Sequence, residues 1–343
     1  MKAAVLKSIG QPFTVEDVPD PVIGPDEVLV ATRTCGICRT DLHIQDGLAY
    51  VPNLPHIPGH EPAGVIADVG RDVTGYTIGQ RVVPHLFISG GDCRFTRAGQ
   101  HAQATHLQGI IGVTLPGGFA EFFKAPAENL LRLPENVPFD VGGLTSCAVI
   151  TAVHAYRKSG LQLGQSAVVL GAGGIGLMLI QLLRQAGVRT IAVSRSPDSL
   201  RLAEQAGAEL ALSVEDANTA GCIREFAGAG KDGADCIFEM VGRAGTMRAA
   251  ADYACRGGRI IVIGEEDEYP EIDTIQIAQR ELEIIGSRNG GRQDAIDALE
   301  MLAVGIIKPH IAASFALDEI NEAMSLVRNG EARGRVIVNV TSE

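Results

Sequence analysis

The chain has 343 residues, 46% of them apolar and 20% charged, so the sequence predicts folded domains and excludes a disordered chain. Its 29 Lys and Arg against 41 Asp and Glu give a net charge of −12, and no basic run interrupts this balance. Nucleic acid and anionic membrane surfaces are therefore excluded as expected partners, and the length is typical of two domains.

Residues 1–149 contain short apolar runs separated by Gly, Pro and Asp. The runs that predict strands are EVLVATRT from Glu27, AGVIADVG from Ala63, QRVVPHLFI from Gln80 and AEFFKAP from Ala120. Turn residues at this density between short strands indicate a β-rich, barrel-like domain.

Strand and helix patterns alternate over residues 150–288, after a helix-like segment that begins near Thr151. The order is SAVVL, a glycine turn, the helix-like IGLMLIQLLRQAG and the strand TIAVS, followed by the apolar runs ADCIFEMVG, GRIIVIG and LEIIGS. This alternation predicts an α/β domain with a doubly wound parallel sheet. Residues 289–343 carry two amphipathic helical patterns and the strand RVIVNV, and we expect this segment to return to the first domain.

The location of the protein is predicted from its start, its apolar stretches and its cysteines. Met1 leads directly into the strand-like AAVL, so no signal peptide is predicted. The most apolar stretch, Ala167 to Ile180, is interrupted by glycines and is too short to span a membrane. The seven Cys are odd in number and unevenly spaced, which favours metal-binding thiols in a cytoplasmic protein over a disulfide framework.

The loop GAGGIG follows the predicted strand SAVVL and opens a predicted helix. Gly171, Gly173 and Gly176 have the spacing of a dinucleotide-binding turn, and Gly174 and Ile175 lie inside it. The first glycine permits the tight turn, the second lets a pyrophosphate approach the backbone, and the third packs helix against strand. The free N–H groups of the helix then face the phosphates. A merely flexible glycine loop is the weaker interpretation, because it would not need the strand and helix around it.

The residues at the end of the second strand of this domain help to distinguish NAD(H) from NADP(H). NAD-binding folds place an acidic residue here to bind the adenosine ribose, whereas this chain has Ser194. The following Arg195 can pair with a 2′-phosphate, so NADP(H) is predicted to be preferred over NAD(H). The nearest acid, Asp198, follows Ser196 and Pro197 in the pattern of a helix start. A solvated surface charge is the alternative role for Arg195.

Two short motifs can supply metal ligands. The first is CGICRTDLH, which begins at Cys35, and the second is PGHE, which contains His60 and Glu61. A Cys, a His and a further Cys, with one position left open, form the pattern of a catalytic zinc site.

With these motifs the chain resembles the zinc-containing medium-chain alcohol dehydrogenases over nearly its whole length. The matching pieces are GICRTDLH, GHEPAG with its trailing VIADVG, TSCAVITAV, GAGGIG and GRVIV, in the order and spacing of that family. The resemblance implies a GroES-like β-barrel domain that carries zinc, a Rossmann domain that carries the cofactor, and a cleft between them. It also implies a homodimer or homotetramer that acts on a small alcohol or carbonyl compound.

Carried over residue by residue, the resemblance implies that Cys38, His60 and Cys147 are the ligands of a catalytic zinc. Glu61 matches a neighbouring carboxylate that can approach the metal. Cys35 is not a ligand in this alignment, and since no partner CxxC exists we interpret it as a small buried residue.

The resemblance also assigns residues to proton transfer and to the cofactor. Thr40 matches the hydroxyl that hydrogen-bonds the alcohol, His43 the outer end of a proton relay, and Asp41 the carboxylate that orients the zinc-bound histidine. Contacts to the cofactor are implied for Arg39, Thr151 and Arg335, with surface charge as the alternative for the two arginines.

The chain departs from many family members in a surface lobe where four Cys hold a second, structural zinc. The matching positions here are Gly90, Cys93, Thr96 and Ala104. One thiolate cannot hold a closed tetrahedral site, so one catalytic zinc per chain is predicted and the structural zinc is predicted to be absent.

Three functions are compatible with these patterns. The first is zinc-dependent hydride transfer between a primary or secondary alcohol, or its aldehyde or ketone, and a nicotinamide dinucleotide. The second keeps the fold and the cofactor but reduces iminium ions or activated alkenes. The third is a non-catalytic dinucleotide-binding sensor. The complete ligand set and the proton-relay residues favour the first.

Overall fold

The structure is a computed structural model, and it describes residues 1–48, 52–266 and 269–341. The chain forms two compact units. The first consists of Met1–Ile150, Gly290–Gly305 and His310–Glu343, and the second consists of Thr151–Asn289 and Ile306–Pro309. Over the described ranges, no helix combines the length and the apolar character that crossing a membrane requires.

Strands and helices of the described residues are numbered here in chain order. The strands are β1 (Lys2–Val5), β2 (Thr14–Asp17), β3 (Glu27–Ile37), β4 (Glu61–Val69), β5 (Arg81–Pro84), β6 (Phe87–Ser89), β7 (Leu107–Ile110), β8 (Phe122–Pro126), β9 (Leu130–Arg132), β10 (Ser166–Leu170), β11 (Arg189–Ser194), β12 (Leu210–Ser213), β13 (Ala234–Glu239), β14 (Ala254–Val262), β15 (Glu283–Gly286), β16 (Ile311–Ala316) and β17 (Arg335–Asn339). The helices are α1 (Arg39–Asp46), α2 (Arg94–Arg97), α3 (Phe139–Gly142), α4 (Ala148–Ser159), α5 (Gly174–Gln185), α6 (Pro197–Ala206), α7 (Thr219–Ala227), α8 (Ala244–Tyr253), α9 (Thr274–Arg280), α10 (Arg292–Ala303) and α11 (Ile320–Arg328).

The first unit is built on a mainly antiparallel sheet with the order β16-β17-β3-β4-β5-β9, in which β8 also pairs with β3. The long strand β3 alternates buried and half-buried residues, as expected for a strand with one face on a core. Its last residues are buried throughout and lead directly into α1. The register of β3 with β4 places Gly36 opposite Glu61, so the end of one strand meets the start of the other.

The second unit is built on a parallel sheet with the order β12-β11-β10-β13-β14-β15. The chain runs outward from β10 through β11 to β12, and then returns to place β13 on the other side of β10. The strand order therefore reverses between β10 and β13, which is the switch point where doubly wound sheets bind their ligands. The prediction of a doubly wound parallel sheet is confirmed.

Most strands predicted in the first unit are present, and one predicted strand is divided into two. EVLVATRT, AGVIADVG and AEFFKAP correspond to β3, β4 and β8. QRVVPHLFI divides into β5 and β6, because Pro84 has no N–H for a ladder bond and the N–H of His85 instead donates to the carbonyl of Asn129 at 2.7 Å. The helix α1 and the strands β12 and β16 are absent from the sequence-based prediction.

Candidate metal and dinucleotide sites

Four side chains of the residue types that bind metals (Cys, His and Glu), here called metal-type side chains, come together from three segments of the first unit. Cys38 stands at the start of α1, His60 and Glu61 lie at the start of β4, and Cys147 directly precedes α4. One ligand atom from each of the four lies within 4.8 Å of the others. The structure therefore brings together all four residues that the sequence suggested for the metal.

Asp41 fixes the imidazole of this cluster from behind. Its Oδ1 lies 3.0 Å from Nδ1 of His60, and its Oδ2 accepts a hydrogen bond of 2.8 Å from the backbone N–H of Cys38. Both side chains are buried, and Nε2 of His60 has no hydrogen-bond partner among the described residues. A carboxylate on one ring nitrogen and an unsatisfied second nitrogen are typical of a metal-binding histidine.

The pKa values of the two thiols in the cluster are shifted in opposite directions. The pKa of Cys38 lies well below its ordinary value, because Cys147 hydrogen-bonds to its thiolate and His60 lies beside it. The pKa of Cys147 is raised for the reciprocal reason, with burial adding to the effect. Burial lowers the pKa of His60, but Asp41 and the Cys38 thiolate outweigh burial and raise it well above its ordinary value. A divalent cation would therefore displace protons from this cluster on binding.

Glu61 forms a buried ion pair with Arg335. Nη2 of Arg335 donates to both carboxylate oxygens, at 2.6 and 2.5 Å, and also to the carbonyl of Ile37 at 2.9 Å. Burial raises the pKa of Glu61, and Arg335 opposes this effect. The predicted contact of Arg335 with a cofactor stays a prediction, since its observed partners are these two.

The donor set fits zinc better than a hard cation. Two thiols and an imidazole are the ligands that zinc takes in proteins, whereas calcium and magnesium require oxygen. Cys35 lies outside this group, and burial raises the pKa of its thiol well above the ordinary value. The interpretation of Cys35 as a small buried residue is confirmed.

Helix α1 presents the predicted proton-transfer residues. The Oγ1 atom of Thr40 lies 3.8 Å from Sγ of Cys38. His43 is buried, and its Nε2 has no hydrogen-bond partner in the part of the chain that is described. Arg39 is exposed on the same helix.

Contacts far from any motif hold α1 in place. Arg328 of α11 donates to both oxygens of Asp46, at 2.7 and 2.8 Å, and to Oε1 of Gln45 at 2.8 Å. Gln45 in turn donates to the carbonyl of Gln11 at 3.0 Å. Sequence reasoning missed these residues because no local pattern connects Arg328 with residues about 280 positions earlier in the chain.

The lobe around Cys93 is ordered without a metal-type cluster. Oγ1 of Thr96 accepts from the N–H of Cys93 and donates to its carbonyl, both at 2.9 Å. Ala104 is buried, and the ring of His101 packs edge-on against His85 at 5.3 Å. Among described residues, the cluster at Cys38 is the one group of three or more metal-type side chains. A short capping contact and the burial of Ala104 thus hold this lobe among the described residues.

The glycine turn of the second unit has the geometry that its spacing predicts. Gly171 has φ +109°, which favours glycine, and α5 begins at Gly174. A Cβ on Gly176 would meet the carbonyl oxygen of Gly171 at 2.2 Å, so helix and turn approach too closely for any side chain. A Cβ on Gly173 would meet nothing within 4 Å, which leaves its backbone open to a ligand.

The end of β11 carries the predicted selectivity residues. Ser194 is the last residue of the strand, and Arg195 is exposed. The side chain of Ser196 caps α6 through the N–H of Ser199 at 3.4 Å, and Asp198 forms an ion pair with Arg201. The interpretation of Asp198 as a helix-start charge is confirmed. Thr151 is buried within α4.

Comparison with known proteins identifies both units. Residues 24–135 match a family model described as the alcohol dehydrogenase GroES-like domain, and residues 174–304 match one described as zinc-binding dehydrogenase. An alcohol dehydrogenase from Geobacillus stearothermophilus is 33% identical over 99% of this chain and 100% of its own. The matches confirm the predicted GroES-like and Rossmann fold classes.

Two solved structures extend the comparison over the whole fold. An NAD-dependent alcohol dehydrogenase has a TM-score of 0.94 and 27% identity, and the match covers 99% of this chain and 100% of the other. A zinc-binding dehydrogenase from Sinorhizobium meliloti 1021, bound to NADP, has a TM-score of 0.89 and 30% identity, with 99% of each chain covered. The likeness therefore includes proteins described with either dinucleotide.

We expect one zinc per chain, because one cluster of metal-type donors is complete and the lobe offers Cys93 alone of its four ligand positions. Elemental analysis of fully metallated, tag-free protein measures this number. The Cys38→Ser variant should bind zinc at least about 100-fold more weakly, since even residues behind a ligand contribute about 10- to 100-fold.

The matched control is Cys35→Ser, which changes the same residue type at a buried position outside the cluster. Its zinc content should equal that of the wild type. Dinucleotide binding should survive in both variants, because the glycine turn belongs to the other unit. A metal content near two per chain, or zinc lost from Cys35→Ser and kept in Cys38→Ser, would contradict the assignment.

Proposed function

We propose a reaction for this chain from the premise that it belongs to the zinc-dependent medium-chain alcohol dehydrogenase family. It transfers a hydride between a primary or secondary alcohol, or the corresponding aldehyde or ketone, and a nicotinamide dinucleotide, preferably NADP(H). It uses one zinc ion per chain. The observation that carries this proposal is the meeting of Cys38, His60, Glu61 and Cys147 within 4.8 Å.

Cys38, His60 and Cys147 would hold the zinc, and Asp41 keeps the imidazole in the tautomer that leaves Nε2 free to bind. Bound zinc supplies a Lewis acid that lowers the pKa of an alcohol or polarises a carbonyl. Glu61 is held by Arg335, so its charge is balanced without the metal.

Thr40 and His43 form the proposed path for the alcohol proton. Thr40 adjoins the sulfur of Cys38, which places its hydroxyl at the cluster. His43 follows three positions later in α1, so both side chains share a face of the helix. The unpartnered Nε2 of His43 provides a base for the proton that the Thr40 hydroxyl passes on.

The preference for NADP(H) follows from the end of β11. Ser194 removes the carboxylate that would repel a 2′-phosphate, and Arg195 adds a planar cation suited to phosphate oxygens. Asp198 cannot easily replace the missing carboxylate, because it is paired with Arg201 at the start of α6. Arg39, Thr151 and Arg335 are the further cofactor contacts that we propose.

We also propose a role for each domain. Residues 1–149 form the catalytic zinc domain, 150–288 the dinucleotide-binding domain, and 289–343 the segment that returns to the first. We place the protein in the cytoplasm as a homodimer or homotetramer. All seven cysteines are free thiols, which is the state that a reducing compartment maintains.

Turnover on a panel of alcohols, aldehydes, ketones, iminium ions and activated alkenes tests the reaction class. We expect alcohols or simple carbonyl compounds to be turned over with NADP(H), and activity to be lost on zinc removal and regained on its return. Turnover restricted to activated alkenes or iminium ions, or insensitive to chelation, would favour the second hypothesis. Absence of turnover on the whole panel would favour a sensor.

His43→Ala should lower kcat roughly 100-fold without changing zinc content, because His43 lies on the proton path and outside the metal cluster. Added imidazole should restore part of the rate if the lost group is a base. A kcat equal to that of the wild type from about pH 6 to pH 9 would dismiss the relay role.

Wild type should favour NADP(H) over NAD(H) about tenfold in kcat/KM. A charge-assisted hydrogen bond contributes about 1.5–3 kcal/mol, and solvent exposure of Arg195 keeps the effect near the lower figure. Arg195→Ala should reduce the preference, and Ser194→Asp should reverse it. A wild type that favours NADH tenfold would defeat this prediction and leave the zinc assignment intact.

A further inference from the structure

Glu239 is a buried carboxylate that the proposed reaction does not use. It is the last residue of β13, and its relative exposure is 0%. No Lys, Arg or His of the described residues forms an ion pair with it. A buried charge of this kind persists only where other groups stabilise it.

Backbone N–H groups of the next residues provide that stabilisation. Oε1 of Glu239 accepts from the N–H of Val241 and of Gly242, both at 2.9 Å, and Oε2 accepts from Gly242 at 3.0 Å. Gly242 has φ +83°, so the segment is a tight turn that closes around the carboxylate. We call Met240–Val241–Gly242 the 240–242 turn.

The 240–242 turn stands at the switch point of the parallel sheet. Strand β13 pairs with β10 in a register that places Glu239 opposite Leu170, immediately before the glycine turn. The N–H of Met240 donates to the carbonyl of Leu170 at 3.0 Å. A Cβ built on Gly171 would meet Val241 Cγ2 at 3.0 Å and Met240 Cβ at 3.2 Å. The two turns therefore form neighbouring walls at the carboxyl edge of the sheet.

The far side of the 240–242 turn is equally confined. A Cβ on Gly264, in the loop after β14, would meet the backbone nitrogen of Gly242 at 2.2 Å. The N–H groups of Ile263 and Gly264 both donate to the carbonyl of Glu239, at 2.9 and 3.0 Å. Glu239 is thus the residue whose backbone and side chain join β13, the 240–242 turn and the loop after β14.

We propose that Glu239 is a positioning residue for the nicotinamide half of the dinucleotide. The inference rests on the proposed function only in requiring that the crevice binds a dinucleotide. Ser194 on the β11 side takes the adenosine ribose, and the glycine turn takes the pyrophosphate. The rest of the molecule then extends past β10 toward β13, where the 240–242 turn forms the wall, and the carboxylate holds that wall in place.

Direct binding of NADPH and of adenosine 2′-monophosphate to Glu239→Gln tests this role. In the amide, an NH₂ group replaces one oxygen and faces the N–H of Gly242, so the turn loses an acceptor. We expect Kd for NADPH to rise about tenfold while Kd for adenosine 2′-monophosphate, which lacks the nicotinamide half, stays unchanged. Zinc content should also stay unchanged. Glu239→Asp, whose carboxylate is too short to reach both N–H groups, should give the same pattern if Glu239→Gln does not fold.

Asp235→Asn is the matched control. Asp235 lies on the same strand and accepts from the N–H and the hydroxyl of Ser166, both at 2.8 Å, near the amino end of β10. Both dissociation constants of this variant should equal those of the wild type, whatever thermal stability it loses with the weakened contacts to Ser166.

Equal weakening of both ligands in Glu239→Gln, no weakening of either, or the same loss of NADPH binding in Asp235→Asn would overturn the positioning role alone. A wild type that binds neither NADPH nor NADH would overturn the proposed function as well.

Discussion

Burial of charge beside the two thiols is the constraint on which the first unit depends. Asp41 and Glu61 are fully buried, and each needs a partner, because an isolated buried carboxylate costs several kcal/mol. Asp41 is satisfied by His60 and by the N–H of Cys38, and Glu61 by Arg335. These contacts join α1, β4 and β17 to one another. Displacing any of the three would expose an unpaired charge to an apolar surrounding, so the donor atoms are held together by electrostatics before a metal binds.

The second unit meets the same constraint in a different way. No Lys, Arg or His in the described part of the chain pairs with Glu239, and the N–H groups of Val241 and Gly242 supply the positive ends of peptide dipoles instead. The turn after β13 packs closely against the glycine turn, so backbone donors hold the carboxylate where little room is left for a further side chain. The first unit thus stabilises its buried carboxylates mainly with side-chain partners, and the second unit stabilises Glu239 with backbone N–H groups.

The sequence predicts the parts of both sites that local spacing encodes. The candidate metal motifs CGICRTDLH and PGHE and the glycines in GAGGIG are short local patterns, and the doubly wound sheet is predicted from alternating runs. Which residues of the two metal motifs would be ligands is implied by the family resemblance. Helix α1 escaped prediction because it has only eight residues, and its anchor Arg328 comes from the far end of the chain. Strand β16, with the sequence IAASFA, was not predicted because its small residues give little alternation of apolar and polar side chains. The pair of Glu61 and Arg335, 274 positions apart, leaves no local pattern at all.

The lobe around Cys93, where no structural zinc is predicted, is held by packing and a capping contact. A bound zinc would couple the folding of the lobe to metal supply, whereas the contact of Thr96 with Cys93 and the burial of Ala104 do not depend on it. Local capping contacts contribute about 1 kcal/mol, far less than a structural zinc. The lobe does not depend on the capping contact alone, because the neighbouring strands β6 and β7 connect it to the apolar core. Among the described residues, the one group of metal-type side chains lies at Cys38, outside this lobe, so the contacts that hold the lobe and those that hold the cluster are separate.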